Sequence, residues 1–306
     1  MVLTFCPPRP MPATSLTQRG ICLVTGTGGY LGGCVKRALE QRDWQVIGLT
    51  RQPRPGSSDV RFQLGRDVNS GDLAGAHALV HSAYDFKAVS WKAIHATNVA
   101  GSGKLLRAAR QAGVERLVCI SSISAYDSCR SLYGKAKLAI ESIAHSSGAV
   151  VIRPGLIYGD PPTGMFGRLV RQVEKARVLP LFGGGSQVQY LVHDQDLSDC
   201  ICRAVEAPKA FGERVPITIA HEQPWTFRQI LEEIARAKGR RTSFVPVPWR
   251  LVWAMLKLGE LCHLPLDFRS DSLVSLMYQN PSPAFGPQRE LGFTCRPFRF
   301  VEPKPQ

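Results

Sequence analysis

The stretch Ile21-Cys22-Leu23-Val24-Thr25-Gly26-Thr27-Gly28-Gly29-Tyr30-Leu31-Gly32 decides how this chain folds. Ile21 to Thr25 is a short apolar run of strand length, and the residues from Tyr30 onward take helical spacing. A strand passing through closely spaced glycines into a helix puts a tight turn at the open edge of a parallel sheet. Side chains in such a turn would keep a pyrophosphate from the backbone and from the helix N-terminus. The spacing is Gly26, Gly29, Gly32, which reads G-x-x-G-x-x-G and not the common G-x-G-x-x-G. Gly26, Thr27, Gly28, Gly29, Tyr30, Leu31 and Gly32 are therefore candidate dinucleotide-binding residues.

Outward from this turn, short apolar runs alternate with amphipathic segments as far as Ala207, which is how a parallel sheet with crossover helices reads. The strands expected are Ile21 to Thr25, Gln45 to Thr50, Val60 to Leu64, Ala78 to His81, Leu117 to Ser121 and Ala149 to Arg153. Helices are expected over Tyr30 to Gln41, Asn98 to Ala112 and Tyr133 to His145. The fold class is α/β, a Rossmann-type doubly wound parallel sheet with a smaller C-terminal substrate lobe. Residues 20–160 form the nucleotide domain, with return elements near 187–207, and residues 161–306 are mainly the lobe. In that lobe Thr226 and Gln229 make a capping-box pattern ahead of Phe227, Ile230, Leu231 and Ile234. The Pro-rich opening, Met1 to Arg19, reads as a flexible arm.

The end of the second strand bears on the cofactor. An acid there would accept from the adenosine ribose 2′-hydroxyl and select NAD. The chain reads Gly48-Leu49-Thr50-Arg51-Gln52-Pro53-Arg54 instead, and the Arg51 guanidinium would pair with a 2′-phosphate. NADP is the expected cofactor, with NAD as the alternative.

The bulk composition narrows the partners. Among 306 residues the formal charge is +14, which favours anionic ligands such as dinucleotide phosphates, nucleotide-linked substrates or an acidic membrane face. The basic residues are scattered, with no arginine-rich run interleaved with aromatics, so nucleic acid is not expected. Among the nine cysteines, Cys22, Cys34 and Cys119 lie in apolar or helical runs and read as buried thiols. Cys200-Ile201-Cys202 lacks a second ligand cluster, so no metal site is expected. Neither a secretory signal nor a membrane-spanning run is read, and a cytoplasmic location follows as an expectation.

With Ser122 and the segment Tyr133-Gly134-Lys135-Ala136-Lys137, the glycine turn makes the chain resemble the extended short-chain dehydrogenase/reductase family. That family includes nucleotide-sugar epimerases, dehydratases and ketoreductases. The likeness covers roughly Ile21 to Leu197 and takes in Asp67-Val68, His81-Ser82-Ala83, Asn98-Val99-Ala100-Gly101-Ser102 and Arg153-Pro154-Gly155-Leu156-Ile157-Tyr158-Gly159. Leu291-Gly292-Phe293 and Arg296-Pro297-Phe298 add a weaker likeness to the tails of nucleotide-sugar members. The resemblance implies that Asp67 and Val68 flank the adenine and that Ser82 and Ala83 line the passage from phosphate to nicotinamide. It further implies that Pro154 and Gly155 border the nicotinamide ring and that Lys137 grips its ribose. Asn98 has a largely structural role in the family.

The implied catalytic set is Ser122, Tyr133 and Lys137, and its chemistry is consistent with the spacing. Tyr133 and Lys137 lie four apart and share a helix face, whereas Lys135 points away. An ammonium near the phenol favours phenolate, which suits a general acid/base. Ser122 falls just past the fifth strand, where a hydroxyl can hydrogen-bond a reacting oxygen. The family pattern, a Ser or Thr four residues before a Tyr, selects Ser122 before Tyr126 over Ser121 and Ser124; otherwise these serines satisfy turns.

Two departures affect the substrate. Only ten residues separate Ser122 from Tyr133, so the intervening loop is compact. Gln189-Tyr190-Leu191-Val192-His193 stands where sugar epimerases carry Arg-Asp-Tyr-Ile-His, and Gln189 cannot offer that arginine's charge to a substrate diphosphate; Arg168 or Arg171 could. The first expectation is a 4-epimerase or 4-ketoreductase acting on a nucleotide-sugar. A dehydratase ranks behind, since Ile123 and Ser124 offer no acid pair. The second is a reductase or dehydrogenase of an apolar carbonyl or hydroxysteroid-like alcohol. Trp249-Arg250-Leu251-Val252-Trp253-Ala254-Met255-Leu256 reads first as a core helix, and alternatively as one that lines such a pocket or touches a membrane. A non-catalytic NADP-binding subunit is the third, and a homodimer and peripheral membrane contact stay open.

Overall fold

Strand β1 (Gly20–Thr25) runs through the middle of the molecule, its last four residues buried. The computed structural model describes residues 19–212, 215–264, 266 and 268–301. Residues 1–18 of the expected arm lie outside these, and Arg19 pairs with Glu206 at 2.9 Å.

From β1 the chain enters α1 (Tyr30–Glu40), β2 (Trp44–Thr50) and β3 (Val60–Arg61), then β4 (Ala78–His81) and α2 (Trp91–Ile94). A single π-helical turn, His95–Val99, leads into α3 (Ala100–Gln111), followed by β5 (Arg116–Ile120), α4 (Leu132–Ser146), β6 (Val150–Pro154) and β7 (Leu156–Tyr158). Then come α5 (Gly164–Lys175), β8 (Val178–Phe182), β9 (Val188–Gln189), β10 (Leu191–His193), α6 (Asp194–Glu206) and β11 (Ile217–Ile219). The chain continues through β12 (Trp225–Thr226), α7 (Phe227–Ala237), β13 (Ser243–Val247), α8 (Trp249–Leu261), α9 (Ser270–Met277) and α10 (Gly286–Glu290).

Seven of these strands form one sheet in the order β11-β6-β5-β4-β1-β2-β3, every pairing parallel. All four residues of β4 are buried, as expected of a strand covered on both faces. Alternation along β1 divides the core. Cys22 and Val24 face a layer with Val35, Leu39, Leu197 and Ile201, and Leu23 faces one with Leu79, Leu105, Leu117 and Ile140. The strand order reverses between β1 and β4, so the crevice at their C-terminal ends is the ligand position of an open α/β sheet.

Four differences from the sequence reading bear on the site and its surroundings. The third strand stops at Arg61, because at the sheet edge it pairs only with Leu49 and Thr50 before a turn closed by Arg66 N–H on Gln63 O. The helix expected from Asn98 begins at Ala100. Buried Asn98 lies in the wide turn before it, bonded both ways to the Asp85 backbone at 2.7 and 3.1 Å. The seventh strand, β11, was not anticipated; its three residues are too few for a periodic signal. The fourth difference is α8, expected first as core, in which Gly259 alone is buried. Its apolar residues surround the helix, while α9 and Leu266 cover only the flank where Gly259 permits close approach.

A further core cluster gathers Phe166, Val170, Leu181, Phe227, Ile230 and Phe298, apart from the two that cover the sheet. The α7 capping box is present in both directions, Gln229 N–H to Thr226 Oγ1 at 3.2 Å and Thr226 N–H to Gln229 Oε1 at 2.8 Å. Cys22, Cys34 and Cys119 are buried free thiols.

Candidate active site

A chain of hydrogen bonds under the crevice joins β1 to β4. Thr25 Oγ1 accepts the backbone N–H groups of Ser82 at 2.9 Å and Ala83 at 3.0 Å. Its own proton therefore goes to His81 Nδ1 at 3.0 Å, leaving Nε2–H to donate to Ser102 Oγ at 2.8 Å. Ser102 in turn donates to Asn98 O at 2.6 Å, and Ser82 Oγ donates to Thr25 O at 2.6 Å. Complete burial pushes the His81 imidazole down to about 3, with the Lys137 charge adding, so it stays neutral. The network fixes Ser82 and Ala83 against the glycine turn, where Gly26 faces both.

Gly26 takes φ +75°, and its carbonyl accepts Gly29 N–H at 2.8 Å. A Cβ on Gly32 would lie 2.2 Å from Gly26 O, so α1 can follow the turn this closely only with glycine there. The start of α1, at Tyr30, Leu31 and Gly32, has no side-chain cap and no acid in its first turn. A Cβ on Gly28 would meet nothing nearer than Thr50 Oγ1 at 3.8 Å, and Thr27 sits between Gly28 and Gly26 in the same turn. Uncapped amides beside an open cradle suit a dinucleotide pyrophosphate. The Tyr30 hydroxyl donates to Asp194 Oδ2 at 3.0 Å, and His193 Nδ1 lies 3.0 Å from the other oxygen. Burial works against the Asp194 carboxylate, but the bonds from His193 and Tyr30 hold it below the usual range.

Arg51 is exposed just past β2. The structure also brings in an acid that sequence order hid: Asp59 Oδ1 accepts Gly48 N–H at 2.9 Å and pairs with Lys36 at 3.2 Å. Asp67 and Val68 line a cavity of about 210 Å³ with Leu49, Val60, Phe62 and Arg66. The Asp67 carboxylate bonds Lys104 at 2.7 Å, which holds it below its ordinary range. A wider hollow of about 380 Å³, between α7 and β13, contains none of the candidate residues.

Helix α4 carries Tyr133, Lys137 and Glu141 one turn apart. Ser131 caps the helix through Gly134 N–H at 3.0 Å, and Gly134 lies so close to Ser124 O that a Cβ would clash at 2.4 Å. The ten-residue loop thus folds tightly onto the helix. Lys135 is exposed and Lys137 buried, its Nζ donating to Ile120 O at 2.8 Å. Nζ lies 5.9 Å from the Tyr133 ring centroid and 5.1 Å from that of Tyr84. Glu141 accepts Ser121 Oγ–H and pairs with Arg153 at 2.6 Å, tying α4 to β5 and β6.

Those bonds separate the serines. Ser121 is engaged by Glu141, and Ser124 is buried with its hydroxyl 3.3 Å from that of Ser275. Ser122 is half-buried; its oxygen accepts Ser124 N–H at 3.2 Å, which leaves its proton to donate. Ile123 N–H bonds Pro154 O at 3.0 Å and Gly155 N–H bonds Ile219 O at 3.1 Å, so Pro154-Gly155 adjoins the Ser122 loop.

Three residues at the site escaped the sequence reading. Tyr84 packs edge-on against Tyr133 at 5.0 Å, and Phe86 stacks on it at 5.7 Å. Both lie within three residues of Ala83 past β4, a position that could have flagged them. Asp271, from α9, accepts the N–H groups of Leu132 and Tyr133, and no local signal announced it. Gln189 is buried on β9 opposite Trp225, and its Nε2 has no partner among the described residues. Arg168 and Arg171 lie on the exposed side of α5.

The sheet order and the uncapped glycine turn define a dinucleotide-binding protein of the Rossmann type. The model of the NAD dependent epimerase/dehydratase family matches residues 22–220, and the chain belongs to that family, among the extended short-chain dehydrogenases/reductases. The chain is 27% identical over 244 residues to a ceramide reductase of Caulobacter vibrioides, covering 75% of this chain and 74% of the relative. It is 26% identical over 272 residues to a UDP-glucose 4-epimerase of Vibrio cholerae, covering 78% and 81% respectively. Among solved structures, MoeE5 in complex with UDP-glucuronic acid and NAD aligns with a TM-score of 0.68 at 22% identity, covering 91% of this chain and 95% of that one.

Proposed function

We propose that the chain is an NADP(H)-dependent oxidoreductase that reduces an apolar carbonyl compound or oxidises the corresponding alcohol. The observation carrying this reading is the aromatic wall that Tyr84 and Phe86 build around Tyr133, in a chain where Gln189 replaces the cation needed for a diphosphate. The likeness to a ceramide reductase supports it.

The residues present suit the cofactor. The Gly26 to Gly32 turn and the start of α1 would hold the pyrophosphate, and Asp67 and Val68 the adenine. Arg51 would pair with the 2′-phosphate; the nearby Asp59 is already neutralised by Lys36 and opposes it weakly. Ser82, Ala83, Pro154 and Gly155 would line the nicotinamide, and Lys137 would reach its ribose. When bound, the nicotinamide supplies or accepts the hydride. In reduction, Tyr133 Oη gives its proton to the carbonyl oxygen while Ser122 Oγ–H hydrogen-bonds that oxygen. The Lys137 ammonium eases the phenolate left behind.

A nucleotide-sugar 4-epimerase or 4-ketoreductase is the second reading, favoured by the net charge of +14 and the UDP-glucose 4-epimerase relative. The deciding experiment follows NADPH oxidation against a panel of long-chain ketones, with UDP-sugars in parallel assays for turnover and thermal shift. Ketone-dependent oxidation without stabilisation by any UDP-sugar supports the first reading. Stabilisation by a UDP-sugar with inert ketones replaces it with the second.

A further inference from the structure

Helix α8 leaves an apolar stripe uncovered. Leu251, Met255, Leu258 and Leu261 are exposed by 59, 66, 62 and 75%, and their spacing puts them on one side of the helix. Leu264, just beyond, is exposed by 55%. Arg250 and Lys257, seven apart, run along one flank of the stripe. The single acid of α8, Glu260, is turned to Ser270, accepting its N–H at 2.8 Å and its hydroxyl at 2.9 Å, and it also pairs with Lys257 at 3.4 Å, so the net positive charge of the flank comes from Arg250. The outward side therefore presents hydrocarbon edged by positive charge.

This surface adjoins the candidate site. Trp249 at the head of α8 packs edge-on against Tyr278 at 5.9 Å, and the Tyr278 carbonyl accepts the Tyr126 hydroxyl at 3.0 Å. Helix α9, packed against α8, bonds the first turn of α4 through Asp271.

We propose that the outer side of α8 docks on an anionic lipid bilayer and holds the mouth of the site there, so that an apolar substrate enters from the membrane. The substrate route rests on the oxidoreductase reading above; the docking does not. Thirteen residues at about 1.5 Å each give α8 roughly 20 Å, short of the ~30 Å hydrocarbon core, so it lies in the interface. No helix among the described residues is long and apolar enough to cross a membrane. Charge selects a bilayer over a second copy. A two-fold contact through the stripe would bring the Arg250 of two molecules, each of net charge +14, together, whereas anionic headgroups beside acyl chains match both features.

The test is co-sedimentation of the full chain, without substrate, with vesicles of phosphatidylcholine alone or mixed equally with phosphatidylglycerol. The wild type should bind the mixed vesicles about tenfold or more tightly than the neutral ones. The double variant Met255→Glu, Leu258→Glu should lose at least about tenfold of that binding, with its melting temperature and its turnover of a short water-soluble ketone unchanged. Absent wild-type binding, equal binding to both vesicle types, or undiminished binding by the double variant would overturn the proposal. So would a dimer in light scattering that the double variant dissolves, since a second copy would then cover the stripe. Vesicle binding without ketone turnover would sink the substrate reading and leave docking standing; turnover without binding would do the reverse.

Discussion

Asp271 of helix α9 accepts the backbone N–H of Tyr133 at 2.9 Å, and its other oxygen accepts that of Leu132 at 2.7 Å. One carboxylate from a distant helix thus satisfies two of the open donors at the start of the helix that carries the candidate acid/base. Nothing in the chain between residues 133 and 271 announces the contact.

Asp271 is expected to position Tyr133. Burial raises its carboxyl above the ordinary range, although both backbone bonds pull it down. The folded state then holds a proton that the unfolded state has released, so this group's contribution falls as pH rises from the unfolded to the folded pKa. Asp271→Ala should cost about 1–3 kcal/mol in urea unfolding at pH 7 and lower kcat more than it alters KM. Asp271→Asn keeps one acceptor and should lose less of both. Equal kcat in all three proteins would remove Asp271 from the site.

Tyr133→Phe should lower kcat by roughly 10²–10⁴-fold while leaving cofactor affinity unchanged in a thermal-shift titration. Ser122→Ala should cost about 10²–10³-fold, whereas Ser124→Ala, at a serine that bonds Ser275 instead, should cost far less. Full activity in Tyr133→Phe would remove Tyr133 from the catalytic set, whereas no NADPH oxidation by the wild type with any carbonyl would point to the non-catalytic NADP-binding subunit.

Arg51 sets the cofactor test. Loss of a charge-assisted bond of about 1.5–3 kcal/mol should raise the KM for NADPH in Arg51→Ala roughly 10–150-fold and leave that for NADH nearly unchanged. If both rise together, Arg51 is not reading the 2′-phosphate.

His81 should shape the acid limb of stability. Its imidazole is held down to about 3, below the unfolded value, so the unfolded chain takes up a proton first and stability falls as pH drops from about 6.5 toward 3. The slope from this one group approaches about 1.4 kcal/mol per pH unit. His81→Leu should be less stable at pH 7, because Thr25 and Ser102 lose their partner, yet lose less further stability between pH 6 and pH 4. Urea titrations at those pH values measure both effects; parallel pH curves would refute the assignment.

The sequence by itself determined the parallel sheet and the nucleotide turn, because both are written in local order. A five-residue apolar run fixes β1, glycines at 26, 29 and 32 allow the turn, and a spacing of four puts Tyr133 and Lys137 on one helix face. The α7 capping box was legible for the same reason, its two residues lying one helical turn apart. Only the tertiary structure decided what depends on distant chain segments. It brought Asp271 to Tyr133 and Asp59 to Gly48, engaged Ser121 and Ser124 while leaving Ser122 half-open, and set Phe86 on the Tyr133 ring. It also left α8 uncovered where composition read core, since a helix's own apolarity cannot say which neighbour, if any, will pack against it.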